Sequence, residues 1–334
     1  MELCIIIINW NGANDTIDCL LSLENLDKKI DIYILDNGSQ LEDKKKLRDF
    51  IRSRNGIIID KTDSGIFVDN KLSNLVLLES DENFGFAIGN NYVVGKLYDK
   101  YKYILLLNND TIVPSGTIEH MLNTIKQSKN IALTCDIRYE SERHKLWNAG
   151  GKIKWYGDRK YFSQRKIDRL KNLGKTYISA EFITGCALMI DCHYIAQFGL
   201  FTDKFFHGEE DYNFCYRAKK NKVRLGVDLS VQLFHKVGRS ISRGADDARL
   251  FKSLIVHYTN RLIDYKSFYG SLRWRLWRNL YLLLMGIKRR LSGFTRLQVK
   301  MLRTKVRYYS QQYDNVKKDV FQIIMQDNDI NSIF

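Results

Sequence analysis

A single proline, Pro114, punctuates a chain of 334 residues that carries 21 glycines. Tight turns therefore rest on Gly, Asn and Asp, and Pro-rich linkers or recognition segments are excluded. Cysteine occurs six times but never in close pairs: Cys4, Cys19, Cys135, Cys186, Cys192 and Cys215 stand singly among mostly apolar neighbours. Without a CxxC or a His-rich partner spacing, this pattern argues against a disulfide framework or a zinc site and points to buried thiols in a reducing compartment. No apolar run reaches the roughly 18 residues that a spanning helix requires. The longest, residues 280–287, is enclosed by Arg278 and Lys288-Arg289-Arg290, which suits a helix lying on a membrane and not crossing it. An apolar run begins at Leu3 and leaves no room for a signal peptide, so the expectation is a cytoplasmic protein. Both common phosphate-cradling loops are missing, since there is no GxxxxGKS/T and no GxGxxG turn after the first apolar run.

Acidic residues are the other shortage. Lys and Arg outnumber Asp and Glu by 53 to 38, a formal net charge of +15. Twelve Lys or Arg and no Asp or Glu lie within residues 266–313, so the excess is concentrated near the end of the chain while the body is close to balanced. A helix over residues 271–287 would place Leu272, Leu276, Trp277, Leu280, Leu283, Leu284 and Ile287 on one broad face, away from Arg275, Arg278 and Arg289. An apolar face flanked by basic residues, with Trp and Tyr, is the composition of a helix lying in an anionic membrane interface. A competing reading packs that face on the rest of the chain or on a second subunit, as in a homo-oligomer. Nucleic acid would use the same charges, but no recognisable nucleic-acid module accompanies them and no such partner is expected.

What is present is a core and a rhythm. At 45% hydrophobic the chain can bury a full interior. Apolar runs at 3–8, 30–35, 75–78 and 103–107 alternate with helical patterns over 16–26, 41–52, 87–98 and 115–126. Strands alternating with helices predict an α/β fold with a mostly parallel central sheet flanked by helices. In such sheets the ligand crevice lies at the carboxyl ends of the strands. That places Asn9-Trp10-Asn11-Gly12, Asp36-Asn37-Gly38-Ser39, residues 81–85 and Asn108-Asn109-Asp110 around one crevice. Each alone suits a turn or a helix cap. Four in succession predict a binding site, and Asp110, delivered at a strand tip among amide oxygens, suits a hard divalent cation and the phosphates it carries.

Beyond residue 150 the pattern loosens. A strand is expected over 182–190, and Phe205-Phe206-His207-Gly208-Glu209-Glu210-Asp211-Tyr212-Asn213 leads into a helix over 214–219. Three carboxylates at a helix start suit the helix dipole, and they equally suit a catalytic base anchored by the helix. After a strand at 223–227, an apolar run ends in His235-Lys236-Val237-Gly238-Arg239-Ser240. His235 fits a hydrogen-bonded edge residue or a metal ligand, and Lys236 and Arg239 fit either a diphosphate or a solvated surface.

Five segments in this order resemble an inverting, nucleotide-sugar-dependent glycosyltransferase of family 2 with the GT-A fold, especially its bacterial rhamnosyltransferase-like branch. They are residues 5–12 with 36–39; Glu82-Asn83-Phe84-Gly85-Phe86-Ala87 running to Asn90-Asn91; 105–111; Thr184-Gly185-Cys186-Ala187-Leu188-Met189-Ile190 followed by 205–217; and 235–240. The resemblance covers residues 3–241 and implies a single GT-A catalytic domain over 1–245, with a nucleotide-binding half at 1–112 and an acceptor-binding half at 113–245. Residues 246–334 would form a basic helical C-terminal extension.

Roles follow from the resemblance residue by residue. Asp211 matches the general base, with Glu210 beside it in the catalytic pair. Asn9 and Asp36 would meet the nucleobase, and Trp10, Asn11, Asn37, Asn83, Gly85, Asn91, Asn108, Asn109, Lys236 and Arg239 the rest of the nucleotide-sugar. Asp110 and His235 would hold Mg²⁺ or Mn²⁺. Where many relatives carry two carboxylates in an Asp-x-Asp, this chain has Asn108-Asn109-Asp110, so the cation is expected to arrive bridged by the diphosphate.

The implied activity is transfer of a hexose to a hydroxyl of a lipid-linked saccharide in surface polysaccharide synthesis, O-antigen or capsule. Rhamnose from dTDP-rhamnose is the first donor to consider, and another hexose from a UDP-sugar the second. The implied place is the cytoplasmic side of the bacterial cell membrane, held through the basic C-terminal helices. A different class, a non-catalytic nucleotide-sugar or glycan-binding protein, is motivated by Asn108. A nucleotidyltransferase is disfavoured because no Gly-rich basic loop follows the first strand.

Overall fold

The computed structural model describes residues 1–27, 29–59, 74–128, 130–237 and 247–333. Strand β1 (Leu3–Asn9) is apolar until its last residue and is buried on both faces. Its Cys4 and Ile6 enter one core while Leu3, Ile5 and Ile7 enter the other, the period-2 alternation of a central strand. Around it stand α1 (Ala13–Ser22), β2 (Asp31–Asn37), α2 (Leu41–Ser53), β3 (Ile57–Ile59), β4 (Leu75–Ser80), α3 (Gly85–Gly95) and β5 (Tyr103–Asn108). The strands lie in the order β5-β1-β2-β4-β3, every pairing parallel. Their carboxyl ends therefore share one edge, where the polar residues after each run collect.

The second half changes hand. It contains β6 (Thr111–Ile112), α4 (Thr117–Ser128), β7 (Ala132–Tyr139), β8 (Leu146–Asn148), β9 (Gly151–Ile153), β10 (Arg159–Tyr161) and α5 (Gln164–Asn172). Then follow β11 (Tyr177–Ala180), β12 (Ala187–Asp191), α6 (Cys192–Phe198), α7 (Glu210–Lys220) and β13 (Leu225–His235). The sheet continues from β5 through β12, which is antiparallel to both β5 and β7, and then to β13 and β11. Strands β9 and β10 form a separate two-stranded sheet.

Two expected elements have other bounds. The strand expected over 182–190 is β12, starting only at Ala187, because Phe182 makes a bridge to Gly151 instead. The strand expected at 223–227 and the apolar run that ends at His235 are one strand, β13, whose register against β7 shifts between Asp228 and Gln232. Asp228 Oδ1 accepts from the Ser230 amide there at 2.9 Å, a turn-like bond that mimics a chain reversal while the strand continues.

The C-terminal segment is helical: α8 (Asp247–Phe268), α9 (Ser271–Leu291), α10 (Arg296–Gln312) and α11 (Lys318–Met325). It has a core of its own that includes Phe205 from the preceding half. Val316 forms a parallel bridge with Phe205; its carbonyl accepts from the Phe206 amide at 2.7 Å, and its own amide donates to Lys204 O at 2.8 Å. From α8, Asn260 Nδ2 donates to His207 O at 2.9 Å and Gly208 O at 3.1 Å. The segment is thus pinned to the chain that leads into α7.

Helix α9 is apolar on two sides. Trp274, Tyr281, Leu282 and Met285 are buried, and Trp277 stacks on Tyr265 with ring centroids 4.1 Å apart. The face expected from the sequence is largely the other one: Leu272, Leu276, Leu280, Leu283 and Ile287 are all exposed. All six cysteines are buried and free. Among the described residues, no helix is long and apolar enough to cross a membrane.

Candidate active site

A cavity of about 1200 Å³ opens at the carboxyl ends of β1, β2 and β5. Trp10, Asn37, Asn83, Gly85, Asn108, Asn109, Asp110 and His235 line it, all named from the sequence. Gly85 is there by necessity: its φ is +79°, and a Cβ would sit 2.2 Å from Phe206 O. Asn37 braces this corner, donating to Asn83 Oδ1 at 3.1 Å and Gly85 O at 3.2 Å while accepting from the Phe84 amide at 2.9 Å.

Asn9, Asn11, Asp36 and Asn91 do not line the cavity. Asn9 is fully buried and its Nδ2 donates to Asp36 Oδ2 at 2.8 Å, Asp43 Oδ2 at 3.0 Å and Ser39 Oγ at 3.2 Å. Thr16 Oγ1 donates to its Oδ1 at 2.8 Å, and Asp36 Oδ1 accepts from the Ser39 amide at 3.0 Å. Asn11 Oδ1 accepts from the Gln40 amide, and Asn91 ties both amide and carbonyl of Phe201. Asn9, Asp36 and Asn91 tie elements of the fold together through their side chains, whereas the exposed Asn11 engages only its Oδ1.

His235 Nε2 lies 2.9 Å from Asp110 Oδ1, both residues buried at the cavity wall. Strand β13 brings His235 beside Thr111 of β6, and the Lys236 amide donates to Asp110 O at 2.9 Å, which fixes the pair. A cation with bonds of about 2.1 Å at right angles separates neighbouring ligand atoms by about 3 Å, so the two donors suit adjacent positions on one ion. Among the described residues no third His, Cys, Asp or Glu completes a cage. The donor set therefore fits a cation whose remaining ligands come from a bound diphosphate.

Lys236 is turned elsewhere: its Nζ lies 3.1 Å from Asp15 Oδ1 and 2.5 Å from Asp18 Oδ2, and it is absent from the cavity lining. Arg239 lies outside the described residues.

The carboxylates at the start of α7 divide sharply. Glu209, in a left-handed conformation at φ 72°, points inward as the hub of a charge network. Its Oε1 meets Arg159 Nη1 at 2.8 Å and His257 Nδ1 at 2.9 Å, and its Oε2 accepts from the buried Arg261. Burial would raise its carboxyl, but Arg159, Arg261 and His257 outweigh that and hold it well below the usual range. Glu210 has no such partners, and burial together with the Asp211 charge pushes it up to about 8. Asp211 is positioned by Arg159 Nη2, 3.0 Å from its Oδ1; neither it nor Glu210 is among the residues that line the cavity. At neutral pH Glu210, raised to about 8, holds its proton, and Asp211 beside it is held by Arg159.

Sequence reasoning missed the far wall. Arg249, Lys252, Ser253, Val256 and His257 from α8, with Phe321, Met325 and Asn331 beyond it, line the same cavity. The available signal was the i, i+4 spacing of 249, 253 and 257 and of 252 and 256, which puts them on one helix face. Arg159, read only as part of a basic stretch, was missed because its partners lie some fifty residues away.

The sequence profile of glycosyl transferase family 2 matches residues 4–194. No curated protein matches the chain. Among solved structures, the chain is similar to a crystal structure of GalNAc-T7 with UDP, GalNAc and Mn²⁺, at a TM-score of 0.53 and 14% identity. That likeness covers 76% of this chain and 48% of the other, so this chain spans about half the length of the protein it resembles. The fold it shares is the GT-A arrangement of a mostly parallel sheet flanked by helices, and the profile spans more than half of the sequence. The parallel half-sheet and the polar strand ends through Asp110 all lie within the matched residues: the chain belongs to glycosyl transferase family 2.

Proposed function

We propose that the protein transfers a sugar from a nucleotide-sugar donor to a hydroxyl of a lipid-linked saccharide, with inversion at the anomeric carbon. The observation that carries this is the single cavity in which Trp10, the amides of Asn37, Asn83, Asn108 and Asn109, and the Asp110–His235 pair converge. A divalent cation held by Asp110 and His235 would supply charge neutralisation for the diphosphate. UDP and Mn²⁺ in the GalNAc-T7 structure are consistent with that donor class. The acceptor oxygen attacks the anomeric carbon as the bond to the diphosphate breaks. The bonding pair leaves with the diphosphate, and the hydroxyl proton passes to Asp211, which Arg159 keeps in place. By resemblance, dTDP-rhamnose is the first donor to try, a UDP-sugar the second, and a bacterial surface polysaccharide the product.

The exposed face of α9 supports a peripheral position on the cytoplasmic face of a membrane. Leu272, Leu276, Leu280, Leu283 and Ile287 form an uncovered stripe, beside the exposed Arg273 and Arg290. Apolar surface flanked by cations and free of Asp and Glu over residues 266–313 complements anionic lipid headgroups.

Thermal stabilisation by dTDP-, UDP- and GDP-sugars, each with Mn²⁺ and with EDTA, tests the donor reading. A shift with one nucleotide class, reduced by EDTA and by Asp110→Ala, is expected. No shift with any donor would remove it; a shift without turnover on any acceptor would leave a binding protein.

A further inference from the structure

Lys252 stands in the second turn of α8, only 8% exposed, and lines the cavity together with Asp110 and His235. Among the described residues no Asp or Glu pairs with it and no hydrogen bond engages it. Arg159 and Arg261 are matched by Glu209, Arg138 by Asp136 and Lys236 by Asp15 and Asp18, while Arg278, buried without a carboxylate, lies over the Trp274 ring and lines no part of this cavity. An ammonium removed from water without a counter-ion is strongly disfavoured, and a lysine ordinarily extends its head to solvent to avoid it. Here the side chain lies along the cavity wall, so the cavity is the open space its head faces without a carboxylate partner among the described residues. The site has a matching deficit, because Asp110 is its lone carboxylate-type metal ligand among the described residues and Lys236 is committed elsewhere.

We infer that Lys252 binds the diphosphate of the donor, so that a helix beyond the matched family region supplies the fixed positive charge of the leaving-group site. This rests on the donor reading above. Helix α8 holds the residue in place through Asn260, tied to His207 O and Gly208 O, and Arg261, tied to Glu209 and Gly157 O. The lysine is thereby presented as a preorganised charge that needs no metal to act.

The test is calorimetric titration of the full chain in EDTA with inorganic pyrophosphate, UDP, dTDP, uridine and thymidine, comparing wild type, Lys252→Met and Lys252→Arg. Expected is a loss of about 10- to 100-fold in pyrophosphate and nucleoside diphosphate affinity for Lys252→Met, unchanged nucleoside binding, and recovery in Lys252→Arg. Equal pyrophosphate binding by wild type and Lys252→Met, or no pyrophosphate binding at all, overturns the inference even if nucleotides bind. Parallel loss of nucleoside binding also overturns it, since the residue would then only shape the wall. Pyrophosphate binding that depends on Lys252 without any nucleotide binding keeps Lys252 as a diphosphate ligand but overturns the donor reading and, with it, the assignment of that diphosphate to the donor. Tighter Lys252-dependent binding of farnesyl diphosphate than of UDP or dTDP assigns the site to a lipid diphosphate and overturns the donor assignment.

Discussion

The knot around Asn9 centres on a neutral amide and gathers partners from residues 9 to 43, whereas the hub around Glu209 centres on a charge and gathers residues 159, 211, 257 and 261. The first is assembled by neighbouring strands of a parallel half-sheet, so chain connectivity alone brings its members close. The second forms only when the small β9–β10 sheet, α7 and α8 have all docked. In the first, each group replaces a water hydrogen bond with a protein one, and losing a member costs about 1–3 kcal/mol. In the second, Arg159 and Arg261 meet on one carboxylate, and losing it leaves Arg261 buried without a counter-ion and Arg159 with Asp211 alone, at about 3–5 kcal/mol.

That difference is open to direct attack. Glu209→Gln should lower unfolding free energy by about 3–5 kcal/mol in urea titrations, against about 1–3 kcal/mol for Asn9→Ala; equal costs would break the contrast. Asp211→Asn keeps a neutral partner for Arg159 and should leave stability nearly unchanged while lowering turnover about 10²- to 10⁴-fold with nucleotide binding retained. Unaltered turnover would free Asp211 of the base role.

The two glutamates of the same turn should respond oppositely to pH. Glu209, depressed in the fold, contributes stability that is present above its ordinary 4.5 and is lost as pH falls through its folded value. Glu210, raised to about 8, binds its proton more tightly when folded, so its contribution is full below 4.5 and declines as pH rises towards 8. Glu210→Gln should therefore flatten the wild-type loss of stability between pH 5 and 8, measured as melting temperature against pH; an unchanged slope would refute the raised carboxyl. The smallest effect belongs to the surface: replacing Leu276 and Leu283 by Gln should weaken flotation with anionic liposomes and leave the melting temperature within a few degrees. Equal flotation, or flotation indifferent to salt, would remove the membrane from the account.

Legibility from the sequence followed the same divide. Strand β1, the alternation through β5, and the polar ends at 9–12, 36–39 and 108–110 were readable because periodicity and turn chemistry are local signals. The roles within those ends were not: Asn9 and Asp36 look identical in type to Asn37 and Asp110, and only packing decides which of them face the cavity. Lys252 and His257 were unreadable for a deeper reason. A helix face turned to a cavity has the same spacing as one turned to solvent, and the ties of Asn260 and Arg261 to residues 207–209, far away in sequence, turn it inward. On α9 periodicity found an apolar stripe but could not show that a second, aromatic face takes the interior.

The tie between Val316 and the 204–206 segment orders events in time. Synthesis proceeds from the amino terminus, so the half-sheet with its asparagines can assemble while α8 to α11 are still being made. Helix α8 and Val316, which finish the wall and steady the turn before α7, come late. A nascent or clipped chain lacking them would carry a nucleotide crevice without its opposing face.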